Sequence, residues 1–293
     1  MRRTTSRHHT FSIALAVVIA TGSTACSRSG DPDLVAIDVG APARADAAPQ
    51  TAFGTLTSDA VELVDLTYPL SPDSLYWPTG APFTHEYAGE ISEGGYWYAS
   101  GSFSSPEHLG THLDAPIHFG EGQWTSDQIP LSRLIADGIV IDISERAARD
   151  ADTLLTPEDI AAWEERHGTV PGGSIVIVRT GWASRWPDWN AYYGTETPQD
   201  VATLHFPGLS PEAARVLGER GIFGLGIDTA SIDPGTSSSF EAHRVLAAAN
   251  VFNLENLTNV DGLPEEGFGV MALPMKIEQG TGGPTRVVAV VAR

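Results

Sequence analysis

The sequence predicts an α/β domain whose strands are largely parallel or mixed, and three observations carry that reading. Short β-branched runs recur ("GIVIDIS", "GGSIVIVRTGW", "GIFGLGID"), each too brief for a helix and suited to burial in a sheet. Between them stand segments that open on Ser-Pro or Thr-Pro and close on Gly, the signature of capped helices. The two kinds alternate from about residue 61 to residue 293 with no linker composition between them, so they form a single domain.

Taken in order, "VELVDLTYPL" (Val61 to Leu70) is an alternating strand that stops at prolines. "GIVIDIS" (Gly138 to Ser144) is a buried strand. "TPEDIAAWEERHG" is a helix with Thr156 as N-cap, Pro157 at its first position and Gly168 as its stop. "GGSIVIVRTGW" is a second buried strand, and "SPEAARVLGERG" repeats the helix opening at Ser210. Strand "GIFGLGID", helix "SFEAHRVLAAAN" and strand "VFNLENL" follow, then two closing strands, "FGVMALPMKI" and "TRVVAVVAR". No internal repeat is present, which excludes solenoids and propellers.

The amino terminus differs. "MRRTTSRHHT" is positively charged, "FSIALAVVIATG" is apolar but too short to span a bilayer, and "STAC" is a small-residue processing site. Residues 1–26 therefore read as an export signal, and Cys26, the only cysteine, resembles the acylated residue of a bacterial lipobox. A plain signal peptide with an incidental cysteine is the alternative. Residues 27–60, rich in Ala, Pro, Gly and Asp, read as a flexible tether, leaving 61–293 as the folded domain. The expected location is the cell envelope, the periplasm or the exterior, with membrane attachment through lipidated Cys26.

Composition narrows the function. Against 17 Lys plus Arg stand 37 Asp plus Glu, a formal charge of −20 that opposes binding to nucleic acid. The mature domain has no cysteine nucleophile and no G-x-S-x-G elbow.

"SPEHLGTHLDAPIHFGEG" (Ser105 to Gly122) holds three of the nine histidines. His108, His112, Asp114 and His118 cannot share one face of a helix, and Pro116 would break it. All four positions are even-numbered, so an extended segment would aim them to one side. Such a face needs partners, because buried imidazoles and a carboxylate left unpaired cost several kcal/mol. A divalent cation answers that need: histidines and a carboxylate with open positions suit Zn, Mn or Fe(II), and sulfur-preferring metals are disfavoured. A surface loop of solvated histidines is the alternative.

These residues resemble a known family. "HLGTHLDAPIHF" matches every defining position of the H-x-G-T-H-x-D-x-P-x-H signature of the cyclase-like metal hydrolases, which include bacterial kynurenine formamidase and isatin hydrolase. The similarity extends through "VDLTYPLSPDSLYWP", "TGW", "FPGLSPEAARVL", "GIDTASID", "EAHRVL", "NLENL" and "ALPMKIEQGTGGPTRVVAVVA". It implies a single α/β domain around a mixed β-barrel-like sheet flanked by helices, in dimers or tetramers. It implies that His108, His112 and Asp114 ligate a metal, with His118 as catalytic acid or base. In two-zinc members a histidine and a glutamate twelve residues further on hold a second ion; His243 and Glu255 stand at that spacing here. Glu255 lies in a strand among leucines, where an unpaired carboxylate would be costly.

The activity implied is hydrolysis of a formamide or cyclic amide, a non-peptide C–N bond, by water activated at one or two ions of Zn or Mn. The expected partner is a small aromatic or cyclic amide. Trp77 and Trp97, the latter in "GGYWYASGSF" just ahead of the signature, could line a slot for it together with Trp124; ordinary strand packing of Tyr96, Trp97 and Tyr98 is the competing reading. Three other classes stay open: a metal-assisted polyketide-type cyclase, a non-catalytic envelope protein that binds metal or a small ligand, and a non-haem Fe(II) oxygenase. Export is at odds with a role in cytoplasmic tryptophan breakdown.

Overall fold

Seven strands close into a barrel around a core of Val, Ile, Leu and Phe side chains. The computed structural model describes residues 58–293, together with Gly54 and Leu56. The expected export signal, Cys26 and nearly all of the tether lie outside the described residues. The chain runs through β1 (Val61–Asp65), β2 (Thr84–Ile91), β3 (Trp97–Ser104), β4 (His112–Asp114) and β5 (Ile135–Asp142). Next come α1 (Ser144–Ala147), β6 (Leu154–Leu155), α2 (Pro157–His167), β7 (Ile175–Arg179), α3 (Trp189–Tyr193), β8 (Gly208–Leu209) and α4 (Pro211–Arg220). It ends with β9 (Gly224–Ile227), α5 (Glu241–Ala248), β10 (Phe252–Glu255), β11 (Phe268–Pro274) and β12 (Gly282–Ala292).

The sheet order is β1-β12-β11-β5-β7-β9-β10-β4, and a further pairing of β4 with β12 closes the barrel. Within it β5, β7, β9 and β10 run parallel and the remaining pairs antiparallel, the mixed sheet that the alternation of strands and helices predicts. The apolar runs of β5 and β7 are unbroken because both faces are buried. Val140, Ile175 and Ile177 point into the barrel beside Phe252, Leu254, Val270 and Val287. Ile139, Ile141, Val176 and Val178 face outward beneath Ile160 and Trp163 of α2, Leu217 of α4 and Leu246 of α5.

The helix boundaries follow from local chemistry. At α2 the Thr156 N–H donates to Asp159 Oδ2 at 2.8 Å, a reciprocal cap, and Pro157 takes the first position. At α4 the Ser210 hydroxyl accepts from the Ala213 N–H at 3.1 Å, and Gly221 ends the helix. β1 is shorter than the expected strand, because its pairing with β12 runs out at Asp65 opposite Val288.

Two expectations are corrected. Among the described residues β2 and β3 pair only with each other, from Thr84 opposite Ser104 to Ile91 opposite Trp97, and every residue of this ribbon is exposed. Trp97, 59% exposed, covers Gly89 across the ribbon and does not reach the slot expected for it; nor do Tyr96 and Tyr98 pack on both faces of a sheet. The signature segment is also not extended throughout. Only His112–Asp114 forms a strand; Gly110 turns the chain in the left-handed region (φ 59°), and Pro116–His118 is one turn of 3₁₀ helix closed by the His118 N–H to Ala115 O at 2.9 Å. The two-residue pleat therefore aligns His112 with Asp114, while turns bring in His108 and His118.

Candidate metal centre

Strand alternation supplies the foundation of the site. Leu113 of β4 and Leu254 of β10 point into the barrel, so His112, Asp114 and Glu255 point out of it toward α5. Antiparallel register sets Glu255 directly opposite His112. His243 enters from the first turn of α5, where Asp233 accepts from the Ala242 N–H (3.0 Å), the His243 N–H (3.0 Å) and His243 Nδ1 (2.7 Å). A carboxylate at a helix start is favourable in its own right, and this one also aims the imidazole.

The donor atoms converge. Asp114 Oδ1 lies 2.5 Å from His108 Nδ1 and 3.1 Å from His112 Nε2, and Asp114 Oδ2 lies 3.2 Å from His243 Nε2. Glu255 Oε1 is 3.1 Å from His243 Nε2 and Oε2 is 3.4 Å from His112 Nε2. The far nitrogen of His112 donates to Gly110 O at 2.8 Å and that of His243 to Asp233. A carbonyl or carboxylate only accepts, so both rings present Nε2 to the shared centre. The structure thus brings together every predicted ligand: His108, His112, Asp114, His243 and Glu255. His118 is there too, stacked on His108 with ring centroids 3.9 Å apart.

These groups fit a divalent cation. His112 Nε2 is buried and has no hydrogen-bond partner among the described residues, although two carboxylates stand beside it. Ligand atoms of His112, Asp114 and Glu255 lie within 4.8 Å of one another, as do those of His108, Asp114 and His118; Asp114 is common to both groups. Imidazole and carboxylate donors without sulfur suit Zn or Mn.

Among themselves the groups share protons. Burial opposes a charge on His112, but the adjacent carboxylates of Asp114 and Glu255 hold its pKa up at about 9. His243 lies well above its ordinary value, held there against burial by Asp114, Asp233 and Glu255. Burial pulls against Asp114, yet His108, His112 and His243 keep it well below the usual carboxylate range; burial and the charge of Asp114 push Glu255 up. His118 stands exposed at the cavity mouth, where enclosure of its ring by the walls and the neighbouring imidazoles lower it to about 4, against the pull of Asp114. It is therefore a neutral base at neutral pH.

A cavity of about 340 Å³ opens over these groups, within the range of small-molecule sites. Its walls are aromatic: Tyr76, Trp77, Phe119, Tyr193 and Phe240. Phe240 bridges Phe119 (centroids 5.1 Å) and Trp77 (5.9 Å). Trp77 lines this cavity, whereas Trp124, partly buried, packs against the barrel core beneath the Arg133 guanidinium. Phe119, Phe240, Tyr193 and Asp233 were not singled out by the sequence. Their residue types alone do not mark them: Phe119 ends the signature segment, Asp233 and Phe240 lie in the loop before α5, and Tyr193 ends α3.

The Cyclase family model ("Putative cyclase") matches residues 64–234. The chain belongs to this family. It is 36% identical to the isatin hydrolase of Roseibium aggregatum over 254 residues, which covers 81% of this chain and 95% of that protein. It is 28% identical to the kynurenine formamidase of Bordetella avium, over 77% of this chain and 96% of that relative. Two solved structures share the fold. An isatin hydrolase bound to the product analogue thioisatinate superposes with a TM-score of 0.76 at 34% identity, over 82% of this chain and 96% of the other. Isatin hydrolase A from Ralstonia solanacearum gives 0.72 at 33% identity, over 85% and 100%. The closed barrel with its flanking helices is the cyclase-family architecture.

Proposed function

We propose that the protein is a metal-dependent hydrolase of non-peptide C–N bonds, acting on a small aromatic or cyclic amide. The observation that carries this is the convergence of five imidazole and carboxylate side chains on one buried centre at the floor of an aromatic cavity. His108, His112, Asp114, His243 and Glu255 would hold the metal, Zn or Mn. The two oxygens of Asp114, Oδ1 beside His108 and His112 and Oδ2 beside His243, support two ions with that carboxylate shared. A divalent cation held there would supply a water of pKa about 7 and polarise a carbonyl oxygen.

The chain's own residues supply the rest. The aromatic walls, with Trp77 and Phe240 at the mouth, take a planar ring and exclude bulk water. His118 stands neutral beside the centre and accepts a proton from the water that attacks the amide carbonyl. As the carbonyl carbon gains its bond to oxygen and loses its bond to nitrogen, His118 returns that proton to the leaving amine. No nucleophilic side chain is required.

The higher identity to the isatin hydrolase than to the kynurenine formamidase supports a cyclic amide over N-formylkynurenine. The charged start, apolar stretch and Cys26 support action outside the cytoplasm with a lipid anchor, and the family resemblance supports a dimer or tetramer. Elemental analysis of purified protein with hydrolysis assays on isatin and N-formylkynurenine tests the reading. The expected result is bound Zn or Mn and turnover of isatin; full activity after exhaustive chelation would overturn it.

A further inference from the structure

The near-terminal turn "GTGG" lies against the site, yet neither the ligand set nor the acid–base group includes it. Three contacts of the Thr281 N–H and hydroxyl fix which way the hydroxyl faces the neighbouring imidazole. The Thr281 N–H donates to Glu107 Oε2 at 2.7 Å, and the Thr281 hydroxyl donates to the same oxygen at 2.5 Å. The hydroxyl has one hydrogen, now committed, so toward His108 Nε2, 2.9 Å away, it can only accept. His108 therefore carries a proton on Nε2, which leaves Nδ1, the nitrogen that faces Asp114 Oδ1, as the one a metal would take.

The neighbouring residue seats the same ring. Gly282 pairs with Asp114 across β4 and β12, and a Cβ there would come within 2.8 Å of His108 Cε1. The Thr281 carbonyl accepts from the Ala115 N–H at 2.9 Å, tying the turn to the signature segment itself. His108 needs this support more than its partners do. It lies outside β4 beyond the turn at Gly110, and its side chain is 22% exposed against 4% for His112.

We infer that Glu107 and Thr281 are positioning residues that set the tautomer and ring orientation of His108 for metal binding. The inference rests on the metal reading above. It gives His108 the orienting acceptor that Gly110 O gives His112 and Asp233 gives His243, so each of the three imidazoles is aimed by an oxygen from a different element.

The test is the affinity of metal-stripped protein for Zn²⁺ and Mn²⁺, measured by chelator competition on the wild type, Thr281→Val, Thr281→Ser and Glu107→Ala. Thr281→Val keeps the shape and removes the hydroxyl, and it is expected to weaken binding ~10- to 100-fold. Thr281→Ser restores the hydroxyl and is expected to stay within ~2-fold of wild type if the relay is right. Glu107→Ala frees the hydroxyl hydrogen to turn toward Nε2, which favours the wrong tautomer; a loss of ~10-fold is expected, and this variant carries the test should Thr281→Val fail to fold. Tight wild-type binding matched by both Thr281→Val and Glu107→Ala overturns the relay alone. A wild type that binds neither ion overturns the metal reading and the relay with it.

Discussion

At the floor of the cavity His112, Asp114, His243 and Glu255 expose 5% of their surface or less, whereas at its mouth His118 is exposed and sits on a three-residue turn. The floor groups are set by sheet register, by a helix start and by dedicated acceptors behind the imidazoles. The mouth groups touch one another mainly through ring faces: His118 on His108, and Phe119 on Phe240. Packed charged groups hold a cation rigidly but cannot shuttle protons to solvent. An accessible imidazole can exchange protons but binds nothing tightly. The division places permanent charge where water is excluded and proton traffic where water arrives.

The largest expected effect breaks the floor. Asp114→Ala removes the carboxylate shared by both donor groups, and metal content is expected to fall with kcat/KM dropping at least ~1000-fold, the scale of several kcal/mol of lost transition-state stabilisation. Elemental analysis beside steady-state kinetics checks this; a variant that keeps its metal would place the ion elsewhere. At the mouth, His118→Ala is expected to lower kcat ~100-fold or more while metal stoichiometry stays at the wild-type value. Loss of metal in that variant would make His118 a ligand instead of the proton carrier.

Chelation sharpens the contrast on the stability side. Ligand at ~100 times its dissociation constant adds about 2.7 kcal/mol to the folded state, so stripping the ion is expected to lower Tm by about 5–10 °C in a domain of this size. The His118→Ala protein should show the same drop, and Asp114→Ala almost none.

The smallest effect lies far from the cavity and serves as the reference for both. Glu164 accepts from Arg220 Nε at 2.7 Å and Nη2 at 2.8 Å, and that pairing holds its pKa below the ordinary 4.5. A depressed carboxylate stabilises the folded state above its unfolded pKa and loses that contribution as pH falls through the folded value. Glu164→Gln is therefore expected to cost about 1 kcal/mol or less at neutral pH, a difference from wild type that vanishes in acid. Urea denaturation at a series of pH values reads it, with metal content unchanged throughout.

Residues close in sequence were legible because their chemistry is local. Thr156 with Pro157 and Ser210 with its proline open helices, since the caps satisfy donors within the same turn. The apolar runs of β7 and β9 declare burial on both faces. His108, His112, Asp114 and His118 of the signature do come together, but not on the extended backbone expected, because a period of two does not register the turns made by Gly110 and Pro116.

The sequence by itself determined the barrel strands, the capped helices and, through resemblance to the family, the set of groups gathered at the floor. Only the tertiary structure decided how they meet. Closure of β4 onto both β10 and β12 sets Glu255 across from His112 and lays the Thr281 turn on His108. The same geometry sends Trp97 out along a ribbon and brings Phe119 and Phe240 to the mouth in its place. The reason is physical: caps and strand alternation are satisfied within a few residues, whereas convergence on a shared cation depends on pairings between segments that have no contact along the chain.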